Sequence, residues 1–127
     1  MYRIVLDMQC TMFAEAISQS LSGNDPDFVV QRSESPDQTL TLCRSVLAHA
    51  LIMEVTSFSP WKLSERLQLC RTVRQNLPQC KVLLLVDETA NADLAVSVRQ
   101  AKKDGLIDNF IYTSVSPSYL AAVLDTL

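Results

Sequence analysis

Apolar and polar positions along this chain switch repeatedly between short continuous runs and helical spacing. Arg3–Leu6 (RIVL) is an apolar run that predicts a strand. Thr11–Ser22 follows as a helix with Met12, Ala16 and Leu21 inward, and Gly23 supplies its C-terminal stop. Phe28–Gln31 predicts the next strand, after the turn Asn24-Asp25-Pro26-Asp27. Ser35-Pro36-Asp37 reads as an N-cap with proline in the first helical position. Leu40, Cys43, Val46 and Leu47 then repeat at helical spacing.

Ala50–Glu54 is the third predicted strand, and Leu63, Leu67, Cys70 and Leu77 mark a helix that stops before Pro78. Lys81–Val86 (KVLLLV) is continuously apolar, the pattern of a strand covered on both faces. Ala92–Lys103 places Leu94, Ala95, Val98 and Ala101 on one helical face, and Gly105 ends it. Phe110-Ile111-Tyr112 is a short fifth strand, and Ser116-Pro117 repeats the cap-plus-proline start. Leu120, Val123, Leu124 and Leu127 give a final amphipathic helix.

Strand and helix therefore alternate through five units joined by short loops. That order implies a parallel sheet with helices on both faces. The fold class expected is α/β, a flavodoxin-like (βα)5 doubly wound sheet of five parallel strands in the order 2-1-3-4-5. Residues 1–127 read as a single domain, without repeats, linkers or low-complexity segments.

Composition narrows the function classes. The 127 residues are 48% hydrophobic and 20% charged, as in a globular domain with its own core. No apolar run approaches the ~20 residues of a membrane span, and no signal-peptide pattern precedes the first strand. A cytoplasmic protein without membrane contact is expected. A net charge of -3, with scattered Lys and Arg, argues against direct nucleic-acid binding by this domain. Cys10, Cys43, Cys70 and Cys80 lack metal or redox spacing, and reduced thiols are expected. Cys43 and Cys70 fall on apolar helix faces as small core residues. His49 precedes a strand, which suits a structural or surface role and excludes a histidine-based metal cluster. Arg66, Arg71 and Arg74 share the third helix with Glu65 and read as a solvated face, while Lys102 and Lys103 complement the dipole of the fourth helix.

Glu54 stands out. A carboxylate closing an apolar strand is costly unless it reaches the sheet's edge, and that edge is where ligands collect in parallel α/β sheets. The segments around it carry a family resemblance. YRIVLDMQCTMFAEAISQSL at the start, ALIMEVTSFSP around Glu54, NLPQCKVLLLVDE and DNFIYTSVSPSYL occur in the order and spacing of a receiver domain. Over essentially its whole length the chain resembles the receivers of bacterial two-component response regulators, in particular those of LuxR-type transcription regulators.

In that family two acidic residues after the first strand hold Mg²⁺, and an Asp ending the third strand accepts phosphate. A Ser or Thr after the fourth strand senses the phosphoryl group, and a Lys after the fifth pairs with it. The resemblance implies that Met8 and Gln9 stand at the acidic pair, with Asp7 one residue early. Glu54 stands at the acceptor, Val86 at the hydroxyl position with Asp87 beside it, and Thr113 at the lysine. Each departure removes a function. Glu is one methylene too long for in-line geometry, Met and Gln are poor ligands for a hard cation, Val donates no hydrogen bond, and Thr carries no charge. The implied protein is a degenerate pseudo-receiver, not an enzyme, with no bound metal and no cofactor. It would act in phosphorelay signal transduction or transcription regulation through a protein partner or output domain. A homodimer through the face of the fourth helix, fifth strand and fifth helix would include Leu94, Val98, Tyr112, Tyr119 and Val123.

Glu54 then mimics a phosphorylated Asp or is a solvated relic. The alternative is an atypical phosphoacceptor using Glu54 or Asp7 with Mg²⁺, or a phosphocarrier at Cys10, which opens the first helix. The second of these lacks the glycine-rich loop that cradles phosphate. Tyr112 is expected to pack on the last helix. Trp61 is either an exposed contact anchor or a cover over the decayed pocket.

Overall fold

A computed structural model describes residues 2–24, 26–87, 92–113 and 117–126. The elements run β1 (Tyr2–Asp7), α1 (Thr11–Asn24), β2 (Phe28–Arg32), α2 (Pro36–Val46), β3 (Ala50–Val55), α3 (Leu63–Asn76), β4 (Lys81–Val86), α4 (Ala92–Lys103), β5 (Asn109–Tyr112) and α5 (Pro117–Thr126). One five-stranded sheet carries them in the order β2-β1-β3-β4-β5, every pairing parallel. This is the expected flavodoxin-like arrangement.

Side chains alternate across each strand, so the sheet buries two separate layers. Val5, Leu51, Met53, Leu84 and Val86 face α2, α3 and α4, where they meet Cys43, Cys70, Val73 and Val98. Ile4, Leu6, Ile52, Leu83 and Ile111 face α1 and α5, where they meet Ile17, Leu21, Leu120 and Leu124. Central strands covered on both faces favour apolar residues between their ends, which explains the apolar run 82–86 of β4.

Several local expectations are corrected. The inward stripe of α1 is Ala14, Ile17 and Leu21, whereas Met12 is 83% exposed and Ala16 also faces solvent. Gly23 lies inside the last turn, since α1 continues to Asn24. Leu47 is the left-handed C-cap of α2 and points outward. The strand β3 runs one residue past Glu54, because Val55 still pairs with Val86. Ser35 has the extended backbone of an N-cap and Pro36 opens α2, but the Ser35 side chain makes no capping bond. Asp25, Ser116 and Leu127, each given a role from sequence, lie outside the described residues.

Candidate functional site

The C-terminal ends of β1 and β3 lie side by side, in the register Asp7↔Met53, at the point where the strand order reverses. Crevices at such switch points are the usual binding sites of open α/β sheets. The side chains here leave the sheet in opposite directions. Asp7 continues the Val5 face toward α2 and α3, and Glu54 continues the Ile52 face toward α1.

Glu54 is half-buried, and its Oε1 accepts the backbone N–H of Gln9 at 2.8 Å and of Cys10 at 3.1 Å. Cys10 is the residue at which α1 begins to bond, its carbonyl accepting the Ala14 N–H at 3.0 Å. The carboxylate thus sits at the positive end of a helix, where a negative charge is favoured. Its Oε1 is therefore anchored to the start of α1 rather than loose in solvent.

Asp7 is buried. Its Oδ2 accepts the Thr39 hydroxyl at 2.6 Å and pairs with Arg66 Nη1 at 2.7 Å. Arg66 is 1% exposed, which overturns its expected place on a solvated face. It reaches inward from α3, donating through Nη2 to the Asp7 carbonyl at 3.0 Å and through Nε to the Glu54 carbonyl at 2.8 Å. No buried side-chain polar atom lacks a partner among the described residues. A buried ion pair tolerates desolvation only when its hydrogen bonds are complete in this way.

The remaining positions gather at the same end of the sheet. Gln9, Glu54, Thr56, Phe58 and Asp87 line a cleft of about 350 Å³. Asp7, Met8, Gln9, Ser35 and Trp61 line a second, of about 280 Å³. Val86 is buried at the end of β4, and its carbonyl accepts the Thr113 N–H at 2.9 Å. The half-buried Trp61 therefore lines a cleft beside Met8. Mg²⁺ does not fit this set. Asp7 already holds a guanidinium, Glu54 holds two amides and Met8 offers a soft sulfur. Among the described residues no group of three or more His, Cys, Asp and Glu side chains could hold a metal ion.

Other candidates settle elsewhere. Cys10 is exposed, but the amide that would cradle an anion there already serves Glu54. Burial pushes the Cys43 and Cys80 thiols up to about 12 and raises Cys70, so all three are unreactive core groups. Arg74 is tied to Asp108 at 3.2 Å and to the Gly105 carbonyl, while Arg71 is exposed. Tyr112 packs with the α4 layer, edge-on to Phe110 at 5.6 Å, rather than on the last helix as expected. Alternation explains this: Ile111 takes the α5 side of β5 and its neighbours take the other. Of the expected dimer face, Val98 is core and Tyr119 is exposed.

Arg66 and Thr39 are the site residues that sequence reasoning missed. Their signal was positional. Arg66 lies four and seven residues before the inward Cys70 and Val73, and Thr39 lies four before Cys43, so both fall on buried stripes.

No family model matches the chain, and no curated protein matches it. Solved structures do. A LuxR-family DNA-binding response regulator from Staphylococcus aureus superposes with a TM-score of 0.75 at 12% identity, covering 99% of this chain and 98% of that one. A response regulator from Thermotoga maritima gives 0.76 at 18% identity, covering 98% and 95%. A CheY-like receiver domain protein from Methanospirillum hungatei gives 0.77 at 13%, covering 99% and 92%. Strand order, helix placement and these superpositions agree: the chain has the fold of the response-regulator receiver domains.

Proposed function

We propose that the chain is a receiver-like signalling domain of a bacterial two-component response regulator or transcription regulator, working in the cytoplasm by protein contact without aspartyl-phosphate chemistry. The observation that carries this reading is the commitment of both edge carboxylates. Glu54 is held by the Gln9 and Cys10 amides, and Asp7 is held by Arg66 and Thr39. Phosphotransfer needs a carboxylate free to attack and a metal to neutralise the transferring group; the guanidinium on Asp7 and the two amides on Glu54 Oε1 both weigh against it. Partner contact fits the fold's remaining surface, where Val96 and Tyr119 stand exposed on α4 and α5. A homodimer or an output domain is the partner expected there.

The test is titration of the domain with Mg²⁺ and beryllofluoride, followed by amide NMR. Unmoved resonances at Asp7, Glu54 and Asp87 with millimolar ligand are expected. Shifts clustered at those residues would overturn the reading and restore a phosphoacceptor.

A further inference from the structure

A groove between α3 and the turn after α4 is built unlike the two clefts beside Glu54 and Asp7. Leu67, Arg71, Arg74, Gln75 and Leu106 line it around a volume of about 280 Å³. Its walls are fixed. The Gly105 N–H donates to the Lys102 carbonyl and the Leu106 N–H to the Ala101 carbonyl, each at 3.0 Å. Two further bonds tie the turn to α3: Arg74 Nη1 donates to the Gly105 carbonyl at 2.8 Å, and the Cys70 thiol reaches the Leu106 carbonyl at 3.2 Å. Both backbone groups of Leu106 are therefore satisfied, while its side chain stands 42% exposed. Leu67 packs on the core beneath, and arginine stems extend apolar surface of this kind.

The charge of the groove is one-sided. Two arginines and no carboxylate line it. Arg74 is committed to Asp108 at 3.2 Å, and Asp108 Oδ2 also accepts the Val82 N–H at 2.8 Å. Arg71 is exposed, and no hydrogen bond or ion pair holds it among the described residues. Lys102 and Lys103 in the last turn of α4 outnumber Asp104, the acid that follows them. The groove is a locally positive place on a chain of net charge -3. Complementary charge selects and orients a partner at such a place.

We infer that this groove docks an acidic, amphipathic segment of a partner protein. One leucine-sized side chain of the segment fills the space between Leu67 and Leu106, and a neighbouring carboxylate pairs with Arg71. That the occupant is a protein rests on the contact reading above. The groove is a different surface from the exposed Tyr119, whose helix α5 covers the opposite layer of the sheet. Its volume lies below the roughly 300–1,000 Å³ of small-molecule and cofactor sites, and suits a side chain rather than a cofactor. A single uncommitted guanidinium does not track a nucleic-acid backbone, which takes several phosphate contacts. Nor does it hold an anionic membrane, which takes a cluster of basic residues. Apolar contact supplies the affinity, and Arg71 fixes the orientation.

The experiment is a titration of the whole chain followed by amide NMR. The probe is a synthetic helical peptide with leucines at positions i, i+3, i+4 and i+7 and glutamates between them. Its counterpart carries glutamine for every glutamate, and phosphatidylglycerol vesicles are the third titrant. Shifts clustered at Leu67, Arg71, Gln75 and Leu106 are expected with the acidic peptide at millimolar concentration. The glutamine counterpart is expected to bind roughly fivefold more weakly. Arg71→Gln and Leu106→Ser alter exposed side chains and are expected to keep the wild-type unfolding midpoint. Arg71→Gln is expected to erase the preference for the acidic peptide, and Leu106→Ser to weaken both peptides alike.

No shift with the acidic peptide overturns the inference, as do equal binding of the two peptides and shifts centred on Val96 and Tyr119 instead. The same cluster of shifts with vesicles also overturns it, by making the groove a membrane contact. The two readings fail separately. Beryllofluoride shifts at Asp7, Glu54 and Asp87 overturn the proposed function whatever the groove binds. A groove that ignores the acidic peptide, with those three residues unmoved by beryllofluoride, overturns the docking inference alone.

Discussion

Glu54 and Asp7 lie on neighbouring strands, yet one carboxylate serves α1 and the other serves α3. Glu54 was conspicuous in the sequence because a charge interrupts an apolar strand. Its partners were not legible, since they are backbone amides about 45 residues away in sequence, and any residue type supplies an amide. Arg66 was hidden differently. Arginines on a helix usually point outward, and this one is held inward by Asp7, which lies 59 residues away, and by the Glu54 carbonyl. The inward spacing of positions 66, 70 and 73 was available, but composition outweighed it. The Glu54 bonds predict a graded effect. Glu54→Ala removes the acceptor from two amides and is expected to cost about 1–2 kcal/mol, as loss of a helix cap does. Glu54→Gln keeps an oxygen in reach and loses the charge at the helix terminus, so about 0.5 kcal/mol is expected. Urea unfolding midpoints measure both. Equal midpoints for Glu54→Ala and the wild type would mean that water replaces the carboxylate without loss.

At the scale of elements, α2 and α4 end in the same left-handed turn built from different residues. After α4, Gly105 has φ 77, and the N–H groups of Gly105 and Leu106 return to the carbonyls of Lys102 and Ala101. After α2, Leu47 has φ 54, and the N–H groups of Leu47 and Ala48 return to Arg44 and Cys43. The glycine announced its turn in the sequence, because glycine adopts positive φ without a Cβ clash. The leucine announced a helix face instead, and the wrong side of α2 was assigned to it. Most elements were nonetheless legible, because their apolar periods differ and Pro36 and Pro78 punctuate them. Leu47 bears a conformation that costs a side-chain-bearing residue roughly 1–2 kcal/mol, and at 61% exposure its side chain returns little of this through burial. Leu47→Gly is therefore expected to stabilise the protein by about 0.5–1 kcal/mol after the added entropy of the unfolded chain is subtracted. Thermal unfolding of the two proteins checks this, and an unchanged or lower midpoint would show that Leu47 contacts outweigh the backbone strain.

The whole molecule was the most legible scale. Alternating strands and helices permit few topologies, and right-handed crossovers select among them. The chemistry of the sheet's edge was less legible, because it depends on which side chains meet across distant segments. The two ends of the sheet also differ in what they do with polar groups. The C-terminal end holds Asp7, Arg66 and Glu54, and the opposite end holds His49. There the Arg3 N–H donates to His49 Nδ1 at 2.9 Å, and the ring stacks on Tyr2 with centroids 5.2 Å apart. Burial, then the charge of Arg3, lowers the His49 pKa below its ordinary 6.5. An Nδ1 that accepts a hydrogen bond is lost on protonation, which acts in the same direction. The folded state therefore refuses a proton that the unfolded state takes. The stability contributed by neutral His49 is complete above pH 6.5 and declines as pH falls from there toward the folded pKa. His49→Asn keeps a side-chain acceptor for Arg3 and does not titrate. Between about pH 7.5 and 5 the wild-type midpoint is expected to fall more than that of His49→Asn. Parallel pH profiles would assign the acid sensitivity to other groups.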